Sequence, residues 1–180
     1  MKRYQGKART RILNDDEIRA VWAAADSHGQ FGVADCNQDE NCYYTINATK
    51  HAMSKKPSKG NIGWVEYLHV DADPNEDESP EQFKARSQTL IEGFELQPTF
   101  IVDSGNGIQL LWKVEPAIEV TGPEDFADVE AHNYALAEAF GADRSTRNID
   151  RLFRLPGTTN FPNRKKRRLG RVECRARLLE

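Results

Sequence analysis

Residues 67–74 read YLHVDADP, the apolar alternation of a strand that ends in two aspartates one residue apart. Side chains alternate along a strand, so Tyr67, His69, Asp71 and Asp73 fall on one face and Leu68, Val70 and Ala72 on the other. Two carboxylates roughly 6–7 Å apart on one face repel each other unless a cation lies between them. Oxygen-only ligands of this kind suit Mg²⁺ or Mn²⁺. The competing reading is a solvated acidic loop, because Pro74 follows and PNEDESPE continues the acids. A thiol site is weaker: Cys36, Cys42 and His51 give C-x5-C-x8-H, which matches no common zinc spacing. Three cysteines, an odd number, also argue against a disulfide framework.

The net charge of −3 conceals a segregation. Residues 66–81 carry seven acids and no Lys or Arg, whereas RKKRRLGRVECRAR, residues 164–177, carries eight bases and one acid. Such polarity suits a protein that holds cations at one place and phosphates at another, although a basic run is also what a solvated tail looks like. The chain of 180 residues can bury one sizeable core. No apolar run approaches the roughly 18 residues that span a bilayer, and MKRYQGKARTR lacks the apolar segment of a secretory signal. A cytoplasmic protein with no membrane partner is expected.

The elements that must position these residues follow from periodicity and caps. LNDDEIRAVWAAAD, residues 13–26, has Asn14 as N-cap, Glu17 three positions on and an apolar stripe at Ile18, Val21 and Trp22, a helical pattern. YYTINA, residues 43–48, is strand-like. Then come a strand over 64–71, a helix over 80–95 opened by Ser79 and Pro80, a strand over 98–103, and a glycine turn, SGNG, leading into the strand GIQLLWKV. A second helix is expected over 123–141, with Phe126, Val129, Asn133, Leu136 and Phe140 on one face, followed by strand-like RLFRL and RVECRARLL. The order β-α-β-β-α-β predicts an α+β fold with a split βαβ, ferredoxin-like or RRM-like sheet, to which the segment before it is expected to add an N-terminal α/β subunit. Its first and third strands would be central neighbours. Ile108, Leu110, Trp112 and Val114 would lie under the helices, leaving Gln109 and Lys113 with the aspartates on an open face.

In that order, D-x-D, a glycine hairpin and the block ADRSTRNIDRLFRLPGTTN resemble the catalytic core of the archaeo-eukaryotic primase superfamily. The likeness is to its phage and plasmid primase-polymerase branches, the RepB-like and bifunctional primase-polymerase domains, over roughly residues 40–170. The resemblance implies a primase-polymerase fold, with 1–30 as an N-terminal helical segment and 31–180 as the catalytic domain. It also implies nucleotidyl transfer with two Mg²⁺ or Mn²⁺ ions held by Asp71, Asp73 and a third acid. Asp143 is favoured for that place by its spacing from Arg151 and Arg154, with Asp150 the competitor. Ser104, Asn106, Gln109, Arg151, Arg154 and Lys165 would meet the nucleotide, and Lys166, Arg167 and Arg168 the nucleic acid. In a regular strand Arg151 and Arg154 face opposite ways, so one of them at most would reach the site. Gln109 stands where many members carry histidine, which replaces a group able to become cationic with a neutral amide. Implied partners are single-stranded DNA template, nucleoside triphosphates and a helicase or other replication domain. Separately, GKARTRILNDDEIRAVW resembles the linker region of tyrosine recombinases, without their catalytic signature downstream.

Overall fold

The computed structural model describes residues 41–53 and 55–179. The helix expected over 13–26, the segment 1–30 and Cys36 lie outside the described residues. Among the described residues, β1 (Tyr43–Thr45), β2 (Ala48–Thr49) and β3 (Ile62–Ala72) precede α1 (Pro80–Gly93). Next come β4 (Phe100–Asp103), β5 (Ile108–Glu119), α2 (Pro123–Ala139), β6 (Leu152–Arg154), β7 (Thr159–Asn160), α3 (Arg164–Arg168), β8 (Cys174–Arg175) and β9 (Arg177–Leu178).

The class is α+β. A five-stranded antiparallel sheet runs β2-β3-β5-β4-β9, so the long strands β3 and β5 are central neighbours. Their register sets Asp71 opposite Gln109 and His69 opposite Leu111. Where β3 is irregular between Val65 and Tyr67, buried Asn47 fills the break. Its Oδ1 accepts the N–H groups of Glu66 at 2.9 Å and Tyr67 at 3.0 Å, and its Nδ2 donates to Ile149 O at 3.2 Å.

Both helices start as their sequences dictate. Ser79 Oγ accepts from Gln82 N–H at 3.2 Å while Gln82 Oε1 accepts from Ser79 N–H at 2.9 Å, a reciprocal cap with Pro80 just inside it. Asp125 Oδ2 reaches back to the N–H groups of Thr121 and Gly122 at the start of α2. The helices cover one sheet face. Phe83, Leu90 and Ile91 of α1, Leu136 of α2 and Phe140 just beyond it pack on Val70, Ala72, Ile101, Ile108, Leu110 and Trp112.

Two expectations need correction. Of the two strand-like segments either of which could pair with the sheet, RVECRARLL does, its β9 lying antiparallel to β4. RLFRL does not: its β6 pairs antiparallel with β1, Phe153 opposite Tyr44, and the edge beside β3 is taken by β2. As a result the opposite sheet face is not open. Cys42, Tyr44, Ile46, Phe153 and Leu155 from this small second layer pack on Leu111, with Tyr67 and Phe100 against them. Leu111 and Phe100 already lay on that face in the sequence, and an uncovered face would have exposed them to water. A one-sided reading of the sheet overlooked this cost.

Candidate active site

The layer over the second face stops short of the end of β3, and there the two aspartates stand. Asp71 is partly exposed and Asp73 more so, with 21% and 55% of their side chains accessible. Each carboxylate draws a cation from far along the chain. Arg151 Nη2 donates to Asp71 Oδ2, and Lys166 Nζ lies 3.3 Å from Asp73 Oδ2. The acidic and basic stretches that the sequence separates are therefore brought together. Arg151 Nε is buried without a hydrogen-bond partner, so the guanidinium has a donor to spare. Arg151 reaches the site from the turn before β6, where its N–H bonds Asn148 O at 3.1 Å. Arg154, three residues on, does not. It is 7% exposed, its guanidinium 4.5 Å over the ring of Tyr43, with hydrogen bonds to Tyr43 OH at 2.9 Å and to Asn41 Oδ1. Burial pulls its pKa below the usual arginine value, against the opposing pull of Tyr43.

The glycine hairpin closes on the end of β3. A Cβ on Gly107 would come within 2.5 Å of Ala72 O and 2.9 Å of Asp73 Oδ1, a distance no side chain tolerates, so only glycine lets the turn approach the second aspartate. Ser104 Oγ donates to Gly107 O at 3.0 Å and Ser104 O accepts from buried Asn160 at 2.8 Å. Asn106 Nδ2 lies 3.2 Å from Val172 O and from Cys174 Sγ, tying the turn to the C-terminal segment. Gln109 is 5% exposed. Its Nε2 donates to Asp71 Oδ1 at 3.2 Å and its Oε1 accepts from Arg154 N–H at 3.1 Å.

No three His, Cys, Asp or Glu side chains gather into a metal-binding group among the described residues, and Asp143 is engaged locally. Its carboxylate caps the 3-10 turn Arg144–Thr146, accepting from Ser145 N–H at 2.8 Å and Ser145 Oγ at 2.7 Å. These bonds, with a smaller contribution from Arg151, hold its pKa below the usual carboxylate range. Asp150 accepts from Asn148 Nδ2 at 2.7 Å. Cys42 is buried in the second layer.

The basic run is no featureless tail. Asn163 caps α3 by accepting from Lys166 N–H at 2.9 Å, and Gly170 at φ +79° ends it. Arg164, Lys165, Lys166, Arg167 and Arg168 are all exposed, and Arg171 Nη2 reaches Pro74 O at 3.4 Å. Sequence reasoning missed His69, buried behind Asp71. Its Nε2 lies 3.0 Å from Thr146 O and its Nδ1 3.2 Å from Asn133 Nδ2, so Nε2 carries the proton. Burial lowers its pKa to about 4, the Thr146 carbonyl opposing. A lone histidine between two apolar residues carries no signal of this role.

Such a site could hold a hard divalent cation. The donors are carboxylate oxygens at an accessible rim, each already attracting a positive charge, and Mg²⁺ characteristically takes one or two carboxylates plus substrate phosphates. The chain is similar to primases. It aligns with the AEP domain of the cyanophage S-2L primase-polymerase at 18% identity and a TM-score of 0.47, over 68% of this chain and 56% of that one. It aligns with primase RepB′ at 19% identity and a TM-score of 0.36, over 64% and 34%, and with the RepB′ catalytic domain in complex with initiator DNA at 22% and 0.34, over 64% and 50%. The chain thus spans between a third and just over half of the structures it matches. No protein-family model and no curated protein matches the sequence. No helix of the described residues is long and apolar enough to cross a membrane.

Proposed function

We propose that this chain is a nucleotidyltransferase that builds a strand on a single-stranded DNA template, by primer synthesis, DNA polymerisation or both, in the replication of a phage, plasmid or mobile element. The observation that carries the reading is the Asp71–Asp73 pair, set at the rim of the sheet against a glycine turn and met by Arg151 and Lys166 from the downstream segment. It agrees with the order of motifs along the sequence.

In this reading Asp71 and Asp73 hold Mg²⁺ or Mn²⁺, and substrate phosphates complete the ligand set for one ion or for two. The bound ions would neutralise charge on the leaving pyrophosphate and favour ionisation of the attacking 3′-hydroxyl. Arg151, its side chain 30% accessible beside Asp71, and exposed Lys165 are the cations available to the triphosphate. Lys166, Arg167 and Arg168 meet the template backbone. Ser104 and Asn106 shape the turn, and Arg154 fastens β6 to β1.

A sheet that binds single strands without chemistry needs exposed aromatics on its face. Here Phe153 is fully buried and Tyr67 packs on Phe100 with ring centroids 6.0 Å apart, which disfavours that alternative. The test is incubation with a single-stranded template, labelled nucleotides and Mn²⁺ or Mg²⁺, with and without primer. A metal-dependent extended product that Asp71→Asn abolishes is expected. A shortened strand would point to a nuclease, and template binding without product would sink the proposal.

A further inference from the structure

The geometry points to Gln109 as a positioning residue that fixes the carboxylate of Asp71 and does not touch the nucleotide. The inference rests on the function proposed above only for what Asp71 does once fixed. Register places Gln109 directly across the β3–β5 ladder from Asp71, and the amide uses both its ends. Nε2 donates to Asp71 Oδ1 at 3.2 Å, and Oε1 accepts from the backbone N–H of Arg154 at 3.1 Å. The two bonds settle the orientation of the amide, because a flipped group would set oxygen against carboxylate and N–H against N–H.

With 5% of its surface accessible, the residue offers almost no surface to a triphosphate, and turning the amide outward to meet one would break both bonds. Breaking them would leave a buried N–H of β6 unpaired.

The arrangement is a relay from the second layer to the site. Phe153, opposite Tyr44, anchors β6 on the sheet. The next N–H along β6 holds the amide, and the amide holds Oδ1 of Asp71 while Arg151 holds Oδ2. An imidazole at this position would lose its acceptor on protonation, whereas the amide keeps one donor and one acceptor at every pH, which gives the glutamine a physical purpose of its own.

The experiment uses the full chain and Gln109→Leu, Gln109→Glu and Asp71→Asn. Manganese alone is titrated without nucleotide by the electron paramagnetic resonance of free Mn²⁺. The order of the Asp71 side chain is read from its Hα–Hβ three-bond couplings. Expected for Gln109→Leu are averaged Asp71 couplings, Mn²⁺ affinity lower by roughly 10–100-fold, as for other residues that orient a ligand, and a reduced kcat with nucleotide KM unchanged at saturating Mn²⁺. Gln109→Glu keeps the acceptor for Arg154 but sets two carboxylates together. Its Asp71 couplings should be averaged at about pH 8 and recover near pH 5, where one proton shared between the carboxyls restores the donor. Gln109→Leu should show no such recovery, so a general loss of packing is told apart.

Unchanged Asp71 couplings in Gln109→Leu would overturn the inference. So would a raised nucleotide KM with Mn²⁺ affinity intact. Wild-type chain that binds no Mn²⁺ would overturn the functional reading instead, and the couplings would still decide whether Gln109 fixes Asp71.

Discussion

His69 sits one strand step from Asp71 on the same face, yet its task is to stay neutral. Its ring is edge-on to Phe153, centroids 5.4 Å apart, and both nitrogens are committed to Thr146 and Asn133. With its folded pKa near 4, below the ordinary value of 6.5, the unfolded chain binds a proton that the native state refuses. Stability is therefore full above about pH 6.5 and falls as the pH drops towards 4, by on the order of 3 kcal/mol. Urea midpoints across that range measure it, and a flat profile would show that the histidine is not buried neutral. The acids separate at the same scale. Asp71→Asn and Asp73→Asn should each abolish nucleotide incorporation. Removal of either carboxylate also deprives a cation of its partner, so no gain in stability is expected. Asp143→Ala should lower stability by about 0.5–2 kcal/mol through its lost cap, whereas Asp143→Asn, which keeps a capping oxygen, should change stability little and keep activity. Loss of incorporation by Asp143→Asn at unchanged stability would return that carboxylate to the site.

Two elements carry further consequences. Gly107 brings the hairpin against the end of β3 with no space for a methyl group, so Gly107→Ala should cost about 1–3 kcal/mol and displace Asp73. Chemical denaturation and Mn²⁺ titration read the two effects separately. Helix α3 presents Lys165, Lys166, Arg167 and Arg168 to solvent. Replacing them with glutamine should flatten the salt dependence of single-stranded DNA binding by about 0.7 per lost phosphate contact, without changing sequence preference. An unaltered slope would make the helix a solvated surface. What the sequence revealed at this scale tracks length. Strands β3 and β5 and helices α1 and α2 have enough residues for alternation or caps to speak, and the Asp71–Gln109 juxtaposition followed from their pairing. Strands β1 and β6 were both legible as strand-like segments, but nothing in three residues each says that they pair with one another across 111 residues of sequence. Hence the second layer was illegible as a layer, and with it the burial of Gln109 and Arg154. Pairings of acid with base were equally hidden, since spacing along a chain says nothing of which cation arrives.

At the scale of the molecule, the sheet is covered on both faces, and the thinner cover steers the site. Phe153 is fully buried between His69 and the β1 layer. Phe153→Ala should cost about 3–5 kcal/mol, a large share of the 5–15 kcal/mol that holds a domain together. It should also loosen the Arg154 N–H contact with Gln109, seen as faster amide exchange at Arg154 than at Leu110. Equal acceleration at both would mean that the layer and the sheet unfold as one. The distances along the chain between site partners have a further consequence during synthesis. Asp71 waits 80 residues for Arg151, and Asp73 waits 93 for Lys166. At a ribosomal pace of about 5–20 residues per second, the emerging aspartates spend roughly 5–20 seconds as an uncompensated anionic strand end. A nascent chain therefore passes through a stage in which mobile ions of the solution screen the two aspartates, before their arginine and lysine partners arrive.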